Sequence, residues 1–208
     1  VSVQRVEVLV EERSMAAALS ILLPRLLGAT SWEIHEHRGK TDLLNRLPAR
    51  LKGYRDWLPS NARIVVLVDR DDDDCHKLKL KLERIASEAG FVTRSTRNAN
   101  GFVVINRIAI EELESWYFGD WEAVRACYPR VPATIPSKAH YRDPDAIQGT
   151  WEAFERVLQE SGYFQQGLAK INAARAIATK MVPERNKSRS FQALRQALEE
   201  IAEHDSRF

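Results

Sequence analysis

The spacing of hydrophobic positions changes period repeatedly along this chain. Val3 to Val10 alternates and then turns apolar, which predicts a strand ending at Glu11 and Glu12. From Ser14 onward, Met15, Leu19, Leu22, Leu23 and Leu26 recur at helical spacing as far as Gly28. Trp32 to His37 predicts a second strand. Thr41 to Tyr54 predicts a helix with Leu43, Leu44, Leu47 and Leu51 inward, interrupted at Pro48. Pro59 and Asn61 mark a turn. Ile64 to Val68 are consecutive aliphatic residues, the pattern of a parallel-sheet strand buried on both faces. Helical spacing returns over Cys75 to Glu88, through Leu78, Leu82 and Ile85. Phe91 to Thr93 predicts a short edge segment. Phe102 to Ile110 predicts a fourth strand running into Glu111-Glu112-Leu113-Glu114.

Repeated strand-helix units predict an α/β fold: a Rossmannoid parallel sheet flanked by helices, with right-handed crossovers. A long connection rich in proline follows, from Tyr128 to Gly149. Three helical stretches close the chain: Trp151 to Leu158, Leu168 to Met181 and Phe191 to Ile201. The expected organisation is an α/β domain over residues 1–127 and a C-terminal helical cap over 128–208. A chain of 208 residues is long enough to bury a good core. Its net charge of +2 does not announce nucleic acid, so any basic surface must be local. Cys75 and Cys127 are far apart and lack metal-ligand spacing, which points to a reducing, cytoplasmic setting without zinc. No apolar run approaches a membrane span, and no signal-peptide pattern precedes the first strand.

Acidic residues fall at predicted strand ends, the edge where open α/β sheets bind ligands. Glu11 follows the first strand, Asp69 and Asp71 the aliphatic one, and Glu112 and Glu114 the fourth. Crowded carboxylates raise one another's pKa unless a cation intervenes, and Mg²⁺ accepts such hard oxygen ligands. Two readings stand for Asp72, Asp73 and Asp74: metal ligands, or caps of the following helix. The glutamates after the fourth strand read equally as a solvated first helical turn. His35 and His37 share a strand face and read as edge-strand polarity ahead of a metal pair. Lys77, Lys79 and Lys81 read as a solvated face. Trp116, Tyr117, Phe118 and Trp121 read as core. Lys138 and Arg142 in the long loop, with Lys187 and Arg189 near the last helix, are candidate phosphate contacts. Ser188 and Ser190 also read as helix caps.

Three acidic stations of this kind resemble the Toprim fold of primases, topoisomerases and overcoming-lysogenization-type nucleases. More narrowly, the chain resembles the bacterial Toprim-like group catalogued as domain of unknown function 4276. The pieces that carry the resemblance are Val10-Glu11, Val68-Asp69-Arg70-Asp71 and Glu112-Leu113-Glu114-Ser115-Trp116 with Asp120. Tyr141 to Ala146 and Asn186 to Phe191 match as well. The group's first Glu is usually followed by Gly and by a second Glu; here those places hold Glu12 and Met15. The resemblance implies a Mg²⁺ (or Mn²⁺) site at Glu11, Asp69 and Asp71, completed by Glu114 or alternatively Glu112. It implies phosphodiester hydrolysis of DNA or RNA, and a partner ABC-type ATPase in an anti-phage defence system. A non-catalytic metal-binding module is the alternative expectation, and a primase-like nucleotidyl transferase a third.

Overall fold

The computed structural model describes residues 3–203. Four strands, β1 (Arg5–Val10), β2 (Ser31–Glu36), β3 (Ala62–Asp69) and β4 (Val104–Ala109), form one parallel sheet in the order β2-β1-β3-β4. The chain moves outward from β1 to β2, then returns across β1 to β3. Right-handed crossovers in opposite directions must put their helices on opposite faces. Accordingly α1 (Arg13–Leu27) covers one face, while α2 (Lys40–Trp57) and α3 (Cys75–Glu88) cover the other. This makes the carboxyl ends of β1 and β3 the point at which strand order reverses.

Alternation within the strands separates two cores. Val65 and Leu67 of β3 pack with α1, whereas Ile64, Val66 and Val68 pack with Leu43, Leu47 and Leu51 of α2 and Leu78 and Leu82 of α3. The α1 face is completed from the C-terminal third. There α7 (Lys170–Lys180) lies against α1, and α8 (Arg189–Glu203) against both α1 and β4. With them pack α4 (Glu114–Gly119), α5 (Trp121–Cys127) and α6 (Thr150–Glu160), α5 against α7 and α4 against both α5 and α6. Trp116, Tyr117, Phe118 and Trp121 are buried there, with Tyr117 and Phe118 packed on Phe154 of α6.

Several expectations shift in detail. α2 runs unbroken through Pro48, because the proline lies on the exposed side, where water can satisfy the backbone carbonyl that loses its partner. β4 is shorter than the apolar run, and Phe91 to Thr93 contributes a single parallel bridge, Thr93 to Val104. Among the described residues no helix is long and apolar enough to cross a membrane.

Two polar ties lock the segment before α8 onto α4. Asp120 accepts from Val182 N at 2.7 Å and from Arg185 Nε at 2.8 Å. Asn186 donates to Trp116 O at 2.8 Å and accepts from Ser188 N at 2.9 Å. Ser188 Oγ in turn donates to Asp145 at 2.7 Å and accepts from Phe191 N in the first turn of α8. Buried polar groups need such partners, so these residues have a full structural account.

Candidate metal centre

The decisive geometry lies at the reversal point. Glu11 sits one residue beyond β1, Asp69 ends β3, and Asp71 follows in the turn before α3. One carboxylate oxygen from each falls within 4.8 Å of the other two. Glu11 and Asp69 are buried, at 6% and 3% exposure, while Asp71 faces outward. Asp71 reaches inward from a left-handed backbone (φ 48°), tied by its N–H to Glu111 O at 2.9 Å. Glu111 is left-handed too (φ 60°), and its carboxylate pairs with Arg70. Asparagine and aspartate tolerate this region better than most residues, but a glutamate there is unusual and needs surrounding structure to hold it.

The electrostatics are those of an under-neutralised acidic site. Burial, then the nearby Asp71 charge, pushes Glu11 up to about 7. Burial and the Glu11 charge hold the Asp69 carboxyl well above the ordinary aspartate range. Glu11 Oε2 and Asp69 Oδ1 are buried without a hydrogen-bond partner among the described residues. A buried carboxylate oxygen with nothing to accept from is costly, and two side by side more so. A hard divalent cation satisfies both oxygens at once and removes the repulsion, so this donor set fits Mg²⁺ or Mn²⁺.

One cation is built in. Lys40, the first residue of α2, extends its ammonium to Asp71 Oδ2 and Asp73 Oδ2, each at 2.7 Å, and donates to Arg70 O at 2.9 Å. Burial would lower its pKa, but the hydrogen bonds to Asp71 and Asp73 prevail and raise it. The pattern of acids did not point to Lys40. The available signal was its place just beyond β2, another strand end on the same edge. The neighbouring Gly39, left-handed at φ 92°, donates to Glu11 O at 2.7 Å and brings α2 to the site.

The acids after β4 divide. Glu114 is buried at 2% exposure in the layer beneath, where burial above all raises it to about 7 and its charge acts on Asp69. Glu112 is not brought to the cluster. Its Oε2 accepts from Thr150 Oγ1 at 3.1 Å and Trp151 N at 3.0 Å, capping α6. Tyr117 is also in the buried layer, its hydroxyl without a partner among the described residues. Glu12, bonded to Ser14, adds its field to Asp69 and Glu114. Asp74 caps α3 by accepting from Lys77 N at 2.9 Å. Of the cluster, Asp71 alone lines a cleft of about 510 Å³ between the 70–74 turn, Glu111 and Gln148-Gly149.

The family model for a domain of unknown function, DUF4276, matches residues 10–199. The chain belongs to that family. No curated protein matches it. Among solved structures, this DUF4276 chain is similar to the C-terminal region of the Xanthomonas campestris pv. campestris OLD protein. Identity is 18%, 97% of each chain is covered, and the TM-score is 0.42.

The remaining candidates of the DUF4276 chain are not among the residues that form the acidic cluster. Lys138, Arg142, Lys187 and Arg189 are all exposed, and Arg189 pairs with Asp143 at 2.8 Å. His35 is not merely edge polarity: its Nε2 lies 2.5 Å from the buried Glu7, which also accepts from Tyr54 Oη at 3.1 Å. His37 bonds Val10 O. Lys79 is not a solvated residue either; it pairs with Glu83 at 2.8 Å and donates to Asn106 O at 2.7 Å.

Proposed function

We propose that Glu11, Asp69 and Asp71 hold one or two Mg²⁺ or Mn²⁺ ions and that the chain hydrolyses phosphodiester bonds of DNA or RNA. The observation that carries this reading is the pair of partnerless, buried carboxylate oxygens, on Glu11 and Asp69, beside Asp71 at the sheet's reversal point. A divalent cation held there supplies Lewis-acid activation of water and neutralises charge on the phosphodiester.

The chain's own residues do the rest. Lys40 fixes Asp71, so that a ligand on an exposed turn becomes a preorganised one. Glu114 and Tyr117 close the floor of the site and exclude water beneath it. The cleft beside Asp71 carries Asp71 to Asp74 and Glu111 against Arg70, so a phosphodiester is repelled there until the acids are neutralised. Exposed Lys138, Arg142, Lys187 and Arg189 are proposed as phosphate contacts. An ABC-type ATPase as gating partner in anti-phage defence belongs to the same proposal and rests on the Toprim-like resemblance alone.

A non-catalytic metal-binding module is the second reading. It is favoured by the complete burial of Met15, which puts no carboxylate where the group usually has its second Glu. The test is cleavage of plasmid and tRNA with Mg²⁺ or Mn²⁺, by the chain alone and with its partner ATPase. Cleavage that disappears in Asp69→Asn, with folding intact, is the expected result. Tight Mn²⁺ binding without cleavage under any of these conditions would establish the module instead.

A further inference from the structure

The exposed edge of β4 borders a cavity of about 580 Å³ that opens between α3 and α8. Its polar lining includes His76 and Lys79 from α3, Arg107 from β4, Arg189 from the start of α8 and Asp145 from the connection before α6. Asp145 is engaged by the start of α8, and among the described residues no ion pair joins it to either arginine; Arg189 pairs instead with Asp143 at 2.8 Å. Asp145 Oδ1 accepts from Ser188 Oγ at 2.7 Å and Ser190 Oγ at 3.3 Å, and its Oδ2 from Ser190 N at 2.9 Å.

Arg107 is the unusual member. Its Nε is buried without a hydrogen-bond partner among the described residues. Burial, with Arg94 nearby, pushes its guanidinium down to about 10. The carboxylates whose fields reach it are engaged elsewhere. Glu83 takes Lys79 at 2.8 Å and Asn106 Nδ2 at 3.0 Å, and Glu200 takes Arg94 at 2.7 Å and Arg97 at 2.6 Å. A desolvated guanidinium left short of acceptors costs stability unless an anion completes it. A planar, forked donor suits phosphate oxygens above all.

The cavity adjoins the acidic edge along the chain, its lining residues Cys75 and Ile110 being the immediate neighbours of Asp74 and Glu111, which line the acidic cleft. Ala109 of β4 is in register with Asp69. Arg107 therefore stands two strand residues below the metal centre, about 7 Å along the strand. Ile108 and Ala193 give the same cavity apolar wall, against which sugar or base can pack.

We infer that this β4-edge groove binds the sugar-phosphate backbone of a single-stranded nucleic acid segment, with the Arg107 guanidinium on a phosphate and Arg189 on the next. The inference deepens the nuclease reading and rests on it for the identity of the polyanion. Single strand is preferred to duplex because Arg107, the group that lacks an acceptor, is half-buried at the strand edge between α3 and α8, whereas duplex binding draws on cations spread over an open basic face.

The test is fluorescence anisotropy of a short labelled single-stranded oligonucleotide, with Ca²⁺ replacing Mg²⁺ so that cleavage does not intervene. Arg107→Met keeps the aliphatic stem and removes the charge. It is expected to weaken binding by about tenfold and to reduce the slope of log K against log salt by about 0.7, with Arg107→Lys recovering part of both. Photo-crosslinking of a bromouridine oligonucleotide to the wild-type chain needs no variant. Crosslinked peptides should come from 75–79, 104–110 and 189–193. Unchanged binding in a folded Arg107→Met, no binding by the wild type, or crosslinks confined to other surfaces would overturn the groove, while wild-type cleavage would leave the nuclease reading standing. Arg107-dependent binding without cleavage by any cation would do the reverse.

Discussion

Lys40 Nζ lies 2.7 Å from Asp71 Oδ2, and the same ammonium bridges to Asp73. The lysine therefore does part of a metal ion's work, drawing an outward-facing aspartate toward two buried carboxyls. Lys40→Met should expose the difference between the two cations. Without the competing ammonium the acidic field strengthens by more than the lost anchoring of Asp71 costs, so Mn²⁺ binding tightens several-fold at low salt. The metal-free protein loses about 1 kcal/mol, a fall in Tm of about 2–4 °C. Calorimetric titration and thermal melts check this; a variant with unchanged affinity and Tm would remove Lys40 from the site.

Asp69→Asn should stabilise the metal-free chain. The amide is isosteric and neutral, so it removes both causes that hold the Asp69 carboxyl above its ordinary range, burial of a charge and then repulsion by Glu11. At pH 8 the expected gain is about 1–2 kcal/mol, with loss of any further stabilisation by Mg²⁺. A Tm below wild type in EDTA would contradict the repulsion argument.

The pH dependence has a definite sign. Glu11 and Glu114, each near 7 in the folded protein, bind more protons folded than unfolded between about pH 4.5 and 7. Their contribution to stability is thus greatest at the acid end of that window and is lost as pH rises through 7. A divalent cation opposes the loss, because it binds the ionised carboxylates. Melts in EDTA should show a higher Tm near pH 6 than near pH 8 from these groups, with Mn²⁺ raising Tm far more at pH 8. Glu114→Gln should flatten the EDTA profile. A cation effect equal at both pH values would refute the assignment.

Gly119→Ala tests the lock on the segment before α8. An added Cβ would come within 2.1 Å of Asn186 Oδ1 and 2.9 Å of Ser188 N. Asn186 would have to leave Trp116 O, adding a lost buried hydrogen bond to the overpacking. Together these should cost about 2–4 kcal/mol in urea denaturation. Asn186→Ala removes the bond without the clash and should cost less. Equal stability of Gly119→Ala and wild type would mean that the 186–188 segment is loosely held.

Much of this arrangement is legible along the chain. The Ile64–Val68 run, the helical spacing of Leu78, Leu82 and Ile85, and the position of Asp69 between them each depend on neighbours within a few residues. Local periodicity therefore determines β3, α3 and the placing of an acid at their junction. Strand order, which makes β1 and β3 neighbours and brings Glu11 to Asp69, depends on crossovers tens of residues long. Similar acidic residues consequently meet different ends. Glu112 caps α6 because Thr150 and Trp151 arrive from almost forty residues away, while Glu114 is buried beneath the cluster. Lys40 and Arg107 belong to the same class. Whether a charged side chain is neutralised or left seeking a partner is set by which distant groups packing brings within a few ångströms. Coulomb interaction and desolvation respond to that distance in space and not to separation in the chain.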